Sequence, residues 1–492
     1  MALQKKLSEL GLRASRGDDA SITGLAVDSR EVKEGYLFAA LPGTQVHGGE
    51  FIQYALRMGA AAVLTDNEGA LLAKAELDAS DAVLVLTENP RQTLAYTSAL
   101  WFGAQPDVML AVTGTNGKTS VSTFARMIWQ ELGKRAINLG TTGVEGDWNA
   151  PLAHTTPEPI TLHRTLSEAA HAGVSHAAME ASSHGLAQNR LDGVRLKAAG
   201  FTNFTQDHLD YHSTFDEYFA AKSGLFSRVL SEDGTAVINV DDARGPEMAA
   251  IAAARDIKVM AVGRTDGADI QLTAQRYHGT GQEVFFKHAS KGYRADLKLI
   301  GGFQAENVLL AAGLVIACGE EPARVFETLD QMSTVRGRMQ LAATRKNGAS
   351  VFVDYSHTPD AVATALKAMR PHVAGRIIAI VGAGGDRDAG KRPLMGAAAA
   401  QNADVVIVTD DNPRSEDPAS IREAVMQGCP EANNVGDRAE AILRGVDLLE
   451  PGDALLIAGK GHESGQIVGD DVLPFDDVEQ ASIAVAALEG RL

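Results

Sequence analysis

The segment VMLAVTGTNGKTSVSTFARMIWQELG has the residue types of a phosphate-binding loop. A predicted hydrophobic strand leads into a loop with two glycines, and Lys118, Thr119 and Ser120 open an amphipathic helix. Backbone N–H groups at such a helix start can surround phosphate oxygens, while the lysine neutralises charge and the threonine can hold Mg²⁺. The strict pattern needs glycine where Val112 stands, so the loop departs from the standard form. The alternative is a glycine-rich turn with an exposed lysine.

Two later segments bring acidic groups and an imidazole to the ends of predicted strands. AAMEASSHGL places Glu180 after one apolar strand, and GFTNFTQDHLDYH places Asp207 and His208 after another. In an α/β sheet, all three residues would reach the same carboxyl edge as the phosphate loop. Mg²⁺ prefers oxygen ligands, so Glu180 fits a metal site beside nucleotide phosphates. Each residue alone would more often be a surface or helix-cap group.

The segment IIAIVGAGGDRDAGKRP only partly resembles a dinucleotide fingerprint. The pattern G-x-G-x-x-G, read from Gly382, would need glycine where Arg387 stands, which argues against a nicotinamide cofactor. Arg387, Lys391 and Arg392 are instead candidates for anion binding, with ordinary surface charge as the alternative. Opposite charges follow two further strands, in VTDDNPRSEDP and IAGKGHESGQ. Arginine side chains could pair with a carboxylate while Glu463 accepts an ammonium group, which indicates a zwitterionic amino-acid ligand.

These residues are carried by an alternation of short Val- and Ile-rich runs with Ala-rich helical stretches, which predicts an α/β fold of mainly parallel sheets. The predicted strands cover residues 61–64, 82–86, 108–112, 237–240, 376–381, 405–408 and 454–457. With 492 residues, the chain is long enough for about three domains. A turn near residues 88–91 and a basic connector near Arg336 divide it into domains at 1–88, 89–335 and 336–492. A short amphipathic helix is predicted over residues 1–12.

Composition limits the partners and the location. The net charge of −18 opposes broad affinity for nucleic acid or anionic lipid, so an anionic substrate needs a local cationic pocket. Cys318 and Cys429 lie far apart, so a disulfide framework or zinc knuckle is not expected, and a reducing cytoplasm fits best. No signal peptide is predicted, and the longest strongly apolar stretch, residues 308–318, is too short to span a bilayer.

Taken in order, TGTNGKTS, MEASSHGL, NFTQDHLDYH, YFAAKSGLF, GGFQAENVLLA, GRMQ, VDYSHTPDA and GGDRDAGKRP resemble the motifs of the Mur ligase family over essentially the whole chain. This family forms peptide bonds with ATP in bacterial cell-wall precursor synthesis. The resemblance implies an amino-terminal uridine-nucleotide domain, a central P-loop-type ATPase domain of mainly parallel sheet and a Rossmann-like carboxyl-terminal domain. It also implies ATP and Mg²⁺ as the required cofactors.

The resemblance assigns roles to individual residues. The expected ATP site consists of Gly114, Thr115, Asn116, Gly117, Lys118, Thr119, Ser120, Asn307, Arg338, Asp354 and His357. The expected catalytic and metal groups are Lys118, Thr119, Glu180, His208 and Lys222, the last as a carbamate that would turn a cation into an anion. Positions that hold the UDP-N-acetylmuramoyl dipeptide match Ser29, Thr155, Thr156, Ser182, Gln188 and Arg190. Here, His47-Gly48-Gly49 replaces the usual D-G-H of the uridine loop, and His154 stands where Asn commonly precedes the two threonines.

DNPR is similar to the motif of the family members that add meso-diaminopimelate as the third peptide residue. The positions that match their amino-acid pocket are Arg387, Asp411, Asn412, Pro413, Arg414, Gly459 and Glu463. The implied reaction is ATP-dependent addition of meso-diaminopimelate to UDP-N-acetylmuramoyl-L-alanyl-D-glutamate through an acyl phosphate. A lysine-adding member, a folylpolyglutamate synthase-like ligase and an ATP-switched binding protein are the alternatives. Neither a protein partner nor the base that deprotonates the amine follows from the sequence.

Overall fold

The computed structural model describes residues 3–43, 46–205 and 211–491. The chain forms two compact units, one of Met1–Ala268 with Leu310–Pro322 and the other of Asp269–Leu309 with Ala323–Leu492. None of the helices in the described part of the chain has the length and apolar character that a membrane crossing requires. Cys318 and Cys429 are free thiols.

The amino-terminal part of the first unit contains a two-stranded antiparallel pair and a small four-stranded parallel sheet. The elements of this part are β1 (Lys5–Lys6), β2 (Ser21–Ile22), β3 (Gly24–Ala26), β4 (Tyr36–Ala39), β5 (Ala62–Thr65), β6 (Val83–Leu86), α1 (Ile52–Arg57), α2 (Asn67–Leu72), α3 (Lys74–Asp78) and α4 (Pro90–Phe102). Strands β3 to β6 pair in sequence order, all parallel. Helix α4 starts where predicted, because the Asn89 side chain accepts a hydrogen bond from the Gln92 N–H and Pro90 occupies the first turn.

The predicted helix over residues 1–12 is wrong. Lys5–Lys6 forms β1, which pairs antiparallel with β2, and among the described residues 3–12 only Ser8–Leu10 is helical, as a 3-10 turn. Gly11 ends that turn in the left-handed conformation at φ +70°. The Leu7 N–H donates to the Ala20 carbonyl, so tertiary pairing outweighs the weak local preference for a helix.

A larger sheet completes the first unit. Its elements are β7 (Val108–Thr113), β8 (Ala136–Gly140), β9 (Gly143–Gly146), β10 (His176–Glu180), β11 (Ala198–Phe201), β12 (Thr235–Asn239), β13 (Lys258–Gly263), α5 (Lys118–Glu131), α6 (Pro159–His171), α7 (Ser183–Ala187), α8 (Phe215–Gly224) and α9 (Gly245–Ala253). The strand order is β13-β12-β11-β7-β10-β8-β9, parallel except for β9. Strand β7 therefore lies between β10 and β11, and the carboxyl ends of these three strands meet at one edge.

The second unit contains an antiparallel meander and a second parallel-rich sheet. Its elements, with two helices at the division between the units, are β14 (Ile270–His278), β15 (Gly281–His288), β16 (Lys291–Leu297), α10 (Phe303–Ala317), α11 (Pro322–Glu327), β17 (Gln340–Thr344), β18 (Ser350–Asp354), α12 (Pro359–Met369), β19 (Ile377–Val381), α13 (Lys391–Asn402), β20 (Val405–Val408), α14 (Pro418–Met426), β21 (Asn433–Asn434), α15 (Arg438–Asp447), β22 (Ala454–Ala458), β23 (Gly465–Val468), β24 (Asp471–Pro474) and α16 (Asp477–Leu488). The sheet order is β17-β18-β22-β19-β20-β21, and only β17 is antiparallel. Strand β17 lies within the stretch that the sequence indicated as a connector.

Candidate functional site

The glycines of the loop after β7 are required by its backbone and its surroundings. Gly114 has φ +149°, and a Cβ there would lie 1.8 Å from Thr202 Oγ1. Gly117 has φ +87° at the start of α5, a left-handed conformation that favours glycine. The predicted strand, loop and helix are therefore confirmed, with α5 opening at Lys118.

The end of β11 holds the loop in place. The Thr115 N–H donates to the Asn203 carbonyl and the Asn116 N–H to Asn203 Oδ1, both at 2.9 Å. Thr202 Oγ1 donates to the Asn116 carbonyl at 2.6 Å. The loop conformation thus depends on side chains about 90 positions further along the chain, which the sequence motif does not reveal.

Two lysines meet at the loop. Lys118 Nζ donates to the Gly114 and Thr115 carbonyls at 3.0 and 2.9 Å. Lys222, buried on α8, donates to the same Gly114 carbonyl at 2.7 Å, and its Nζ lies 4.4 Å from the centre of the Tyr218 ring. The sequence-predicted Lys222 therefore reaches the phosphate loop from inside the fold. Its carbamylation stays a prediction.

The Glu180 carboxylate lies beside the first turn of α5. Its Oε1 accepts hydrogen bonds from Thr119 Oγ1 at 3.0 Å and from the Thr141 N–H at 2.9 Å. A Cβ at Gly140 would lie 1.9 Å from this oxygen, so glycine is needed there for the carboxylate to approach. A buried carboxylate and a hydroxyl at a phosphate loop are hard oxygen donors that fit Mg²⁺.

Two predicted groups at this edge, Asp207 and His208, lie outside the described residues. Within the described part of the chain, no group of three or more His, Cys, Asp and Glu side chains is arranged to hold a metal ion. Of the four residues predicted to hold the metal, Thr119, Glu180 and Lys222 are described, and His208 is not.

Four predicted acceptor-site residues form a network that continues from Glu180. Thr156 Oγ1 donates to the Glu180 carbonyl at 2.9 Å, and the Ser182 N–H donates to Thr156 Oγ1 at 3.0 Å. Arg190 donates to the Thr156 carbonyl at 2.7 Å and to Gln188 Oε1 at 2.8 Å. Burial lowers the pKa of Arg190, and the nearby Arg91 lowers it further. Two arginines, Arg91 and Arg190, thus lie beside the network that starts at Glu180, and their charge suits an anionic acceptor.

The remaining predicted acceptor residues are placed differently. The Thr155 hydroxyl lies 3.1 Å from that of Thr141, which itself bonds Glu180. Ser29 begins a 3-10 turn after β3 and is half-buried, and His154 is exposed.

The unusual His47-Gly48-Gly49 sequence has a clear local structure. His47 Nδ1 accepts from the Gly49 N–H at 2.9 Å, and Nε2 lies 3.2 Å from Asp66 Oδ1. Asp66 also caps α2 through the Gly69 N–H. Both imidazole nitrogens therefore take part in the fold, and the departure from the family pattern is accommodated by packing.

In the second unit, the three segments that follow β19, β20 and β22 lie at the same sheet edge, as the sequence indicated, and the family motif VDYSHTPDA begins at the end of β18 on that edge. Close packing explains two glycines of GGDRDAGKRP. A Cβ at Gly385 would lie 1.9 Å from the Pro413 carbonyl oxygen, and one at Gly384 would lie 2.7 Å from Arg414 Nη1. The glycines let the segment after β19 contact the DNPR segment.

The cations at this edge are of two kinds. Arg392 is buried and pairs with Glu416 at 2.8 Å, so its charge is balanced within the fold. Arg414 donates to the Gly385 carbonyl at 2.8 Å, and Arg387 is exposed. Among the residues that the structure describes, neither Arg387 nor Arg414 forms a salt bridge, which leaves two guanidinium groups for an anionic ligand.

The Arg414 backbone is held in an uncommon conformation at φ +53°. Its N–H donates to the Ile467 carbonyl at 3.0 Å, and its carbonyl accepts from the Gly469 N–H at 2.7 Å. The hairpin of β23 and β24 thus fixes the direction in which this arginine leaves the chain. This contact joins residues about 50 positions apart, and sequence reasoning missed it.

The opposite charge comes from the turn after β22. Asn412 Nδ2 donates to Glu463 Oε2 at 2.9 Å. A Cβ at Gly459 would lie 2.4 Å from Asp411 Oδ2, and Gly459 has φ +118°. The predicted residues Asp411 to Arg414, Gly459 and Glu463 are therefore in one place, with Arg387 on the adjoining segment.

Three of the residues predicted near the nucleotide also lie together. The Arg338 guanidinium is 5.0 Å from the centre of the Tyr355 ring, and His357 is 4.6 Å from that ring. Asp354 is buried and accepts from the Met339 N–H at 2.7 Å, and burial raises the pKa of its carboxyl group. Asn307 lies on α10, where its amide donates to Gln304 at 3.2 Å.

Family models match three segments of the chain. They are the Mur ligase family catalytic domain over residues 21–101, the Mur ligase middle domain over 112–315 and the Mur ligase glutamate ligase domain over 337–461. A protein of Bradyrhizobium diazoefficiens, UDP-N-acetylmuramoyl-L-alanyl-D-glutamate–2,6-diaminopimelate ligase, is 48% identical, with 97% of this chain and 99% of the relative covered. This chain belongs to the Mur ligase family.

Two further matches agree with this assignment. The Caulobacter vibrioides protein with the same enzyme name is 46% identical, with 99% of each chain covered. A solved structure of such a ligase is 32% identical, covers 99% of each chain and has a TM-score of 0.74. The MurF ligase of Thermotoga maritima, solved in complex with ADP, shares the fold at 18% identity and a TM-score of 0.60. The expected architecture, α/β with the domains of a Mur ligase, is confirmed.

Proposed function

We propose that this protein uses ATP to join meso-diaminopimelate to UDP-N-acetylmuramoyl-L-alanyl-D-glutamate. The observation that carries the proposal is the pair of guanidinium groups, Arg387 and Arg414, that form no salt bridge within the described residues and lie at one sheet edge with Glu463. Diaminopimelate offers two carboxylates and two ammonium groups, so one end can bind arginine while an ammonium group binds the glutamate. The names and the 46 to 48% identity of the two relatives support the same substrate.

The first unit supplies the ATP site in this proposal. The β7–α5 loop, which extends from Gly114 to Ser120, binds the phosphates through its backbone N–H groups and Lys118. Thr119 and Glu180, with His208 and a carbamylated Lys222, are the residues that would hold Mg²⁺, as the family resemblance implies. The metal supplies charge neutralisation for the phosphoryl group. The proposed ATP-binding residues of the second unit are Arg338, Asp354, His357 and Asn307.

The acceptor binds beside the loop. Thr155, Thr156, Ser182, Gln188 and Arg190 are proposed to hold the peptide part of the UDP-linked acceptor, and Ser29 its uridine end. The hydrogen bond from Thr156 to the Glu180 backbone supports this placement of the peptide part, because the acceptor carboxylate must come close to the ATP phosphates.

The proposed domains are residues 1–88, 89–335 and 336–492.

The reaction proceeds in two steps. The γ-carboxylate of the D-glutamyl residue attacks the γ-phosphate of ATP, which gives an acyl phosphate and ADP. The deprotonated amine of diaminopimelate then attacks the acyl carbon, phosphate leaves, and the nitrogen passes its extra proton to a base as the amide forms. Lys118 stabilises charge on the transferring phosphoryl group, and positioning provides most of the remaining acceleration. We place the reaction in the cytoplasm, where ATP and the nucleotide-linked acceptor occur together.

Lysine is the informative competitor for the amino-acid site. Like diaminopimelate, lysine carries two amino groups separated by the same number of carbons. It lacks the second carboxylate, which Arg414 would bind. Loss of that partner leaves a half-buried guanidinium without a counter-ion, which disfavours lysine binding. Arginine and lysine at position 414 are not equivalent, because only the planar guanidinium binds a carboxylate with two parallel hydrogen bonds.

The test is product formation measured by mass spectrometry. Purified protein is incubated with ATP, Mg²⁺ and the UDP-linked dipeptide, together with meso-diaminopimelate or L-lysine, and phosphate release is followed in parallel. We expect the tripeptide product with diaminopimelate, and phosphate release that requires both acceptor and amine. Phosphate release without either substrate would instead support an ATP-driven switch. If neither diaminopimelate nor lysine gives a product, the proposed reaction is refuted.

A further inference from the structure

Lys460 is a buried cation that the proposed reaction does not use. It follows β22 in the turn GKGHE, and its side chain has 0% exposure. Its Nζ donates to Asn412 Oδ1 at 2.9 Å and lies 3.4 Å from Glu463 Oε2. A fully buried lysine is rare unless it is paired, and here both partners belong to the proposed amino-acid pocket.

The lysine determines how the Asn412 amide is oriented. An ammonium group can only donate, so Asn412 must turn its Oδ1 toward Lys460. The Ile467 N–H donates to the same oxygen at 2.9 Å. The amide Nδ2 is therefore directed to the other side, where it donates to Glu463 Oε2 at 2.9 Å. Lys460 and the β23 backbone together exclude the flipped amide.

In this arrangement, one carboxylate oxygen of Glu463 accepts hydrogen bonds from the protein, and the other oxygen is available to a ligand. Oε2 receives both Asn412 Nδ2 and Lys460 Nζ. Within the described residues, Oε1 accepts no hydrogen bond from the protein, and the side chain is 34% exposed. The carboxylate is thus fixed on its inner side and open on its outer side, where a ligand ammonium group can bind.

We propose that Lys460 is a positioning residue for the amino-acid substrate: it fixes Asn412 and Glu463 so that Glu463 Oε1 receives the ammonium group of the incoming amino acid. The inference rests on the proposed function and deepens it, since it names what orients the ammonium-binding carboxylate. Lys460 itself does not touch the substrate. Its removal should weaken amino-acid binding and leave the phosphate loop, Gly114 to Ser120 of the first unit, unaffected.

The test compares Lys460→Met with Lys367→Met. Methionine keeps most of the volume of lysine without the charge, and Lys367 is an exposed lysine on α12 in the same unit. The KM for diaminopimelate should rise about 10- to 100-fold in Lys460→Met, as expected when a hydrogen-bond network to a charged group is lost. The KM for ATP should stay within about twofold of the wild-type value, and Lys367→Met should behave as wild type in both.

A double variant tests whether the effect acts through Glu463. In a Glu463→Gln background, Lys460→Met should add little to the KM for diaminopimelate, because the carboxylate that Lys460 positions is already gone. If Lys460→Met does not fold, Lys460→Leu, which also lacks a donor for Asn412, is measured in the same way. Calorimetric binding of diaminopimelate to each variant provides a readout that does not depend on turnover.

The outcomes separate the inference from the proposed function. No product from the wild-type enzyme would refute the reaction itself. An active wild type together with an unchanged or lower KM for diaminopimelate in the Lys460 variants would overturn the positioning role, and a lower value would show that repulsion between the two ammonium groups dominates. Equal increases in the KM for ATP and diaminopimelate would also overturn it, because they would indicate a general structural effect.

Discussion

The Arg438–Asp477 pair beneath the amino-acid pocket gives a prediction whose size follows from the structure. Both side chains are 0% exposed. Arg438 Nε and Nη2 donate to the two Asp477 oxygens at 2.8 and 2.7 Å, and Nη2 also donates to the Ala458 carbonyl at 3.0 Å. Burial disfavours the charged guanidinium, but Asp477, together with the nearby Asp411 and Glu463, raises the pKa of Arg438 overall. The pair is therefore charged, fully desolvated and well bonded.

Removing one partner leaves a buried charge without its counter-ion. Such changes cost about 3 to 5 kcal/mol, so Arg438→Met should lower the free energy of unfolding of the second unit by that amount. For a domain of this size, about 1 kcal/mol corresponds to roughly 2 to 4 °C in Tm, which predicts a calorimetric transition roughly 6 to 20 °C lower. Asp477→Leu should have a similar effect. The double variant should recover most of the loss, because an apolar pair of similar volume is tolerated in a buried site.

The assay is differential scanning calorimetry of the full chain, with the two single variants and the double variant compared with wild type. Arg444→Met serves as the control, because its partner Glu440 is exposed and such pairs contribute about 1 kcal/mol or less. A double variant as unstable as the sum of the two single variants would refute the reasoning. It would show that Arg438 matters through its bond to the Ala458 carbonyl and not through the buried charge pair.

Three other changes test different parts of the molecule. Lys118→Met should abolish ATP-dependent ligation, measured by product formation, because the loop loses the cation that is proposed to neutralise the phosphates. Gly385→Ala places a Cβ 1.9 Å from the Pro413 carbonyl oxygen and should raise the KM for diaminopimelate, with the KM for ATP unchanged. Burial lowers the pKa of His163 to about 4 from 6.5, so stability is lost as pH falls from 6.5 to 4, by about 3 kcal/mol. His163→Phe should remove that part of the pH dependence of urea unfolding.

The results that would contradict these expectations are equally specific. Near-normal turnover of Lys118→Met would remove the phosphate-loop assignment. Equal kinetic constants in Gly385→Ala and wild type would mean that the segments after β19 and β20 can separate without cost. An unchanged slope of stability against pH in His163→Phe would mean that His163 titrates alike in the folded and unfolded chains.

The sequence predicted those parts of the fold in which local pattern and tertiary structure agree. Buried parallel strands appear as continuous Val- and Ile-rich runs, and the prediction of 405–408 coincides with β20. The phosphate loop was also predictable, because strand, glycines, lysine and helix are adjacent in the chain. The helix over residues 1–12 failed because its backbone pairs with Ser21–Ile22, and β17 was missed because an edge strand has a weak pattern.

Within the site, residue types were easier to predict than their partners. The carboxyl-edge rule correctly gathered the DNPR and GKGHE segments, since parallel strands end on one side. It could not show that Arg392 is neutralised by Glu416, nor that Lys460 orients Asn412. Those contacts join positions 24 and 48 residues apart, and only the folded chain determines them.

In the proposed function, the second unit recognises diaminopimelate through the Arg414 guanidinium. The most direct measurement is the ratio of kcat/KM for meso-diaminopimelate to that for L-lysine, in wild type and in Arg414→Met. We predict a ratio far above one in wild type that falls steeply in the variant, mainly through the KM for diaminopimelate. A wild-type ratio near one, or the same ratio in both proteins, would contradict the claim.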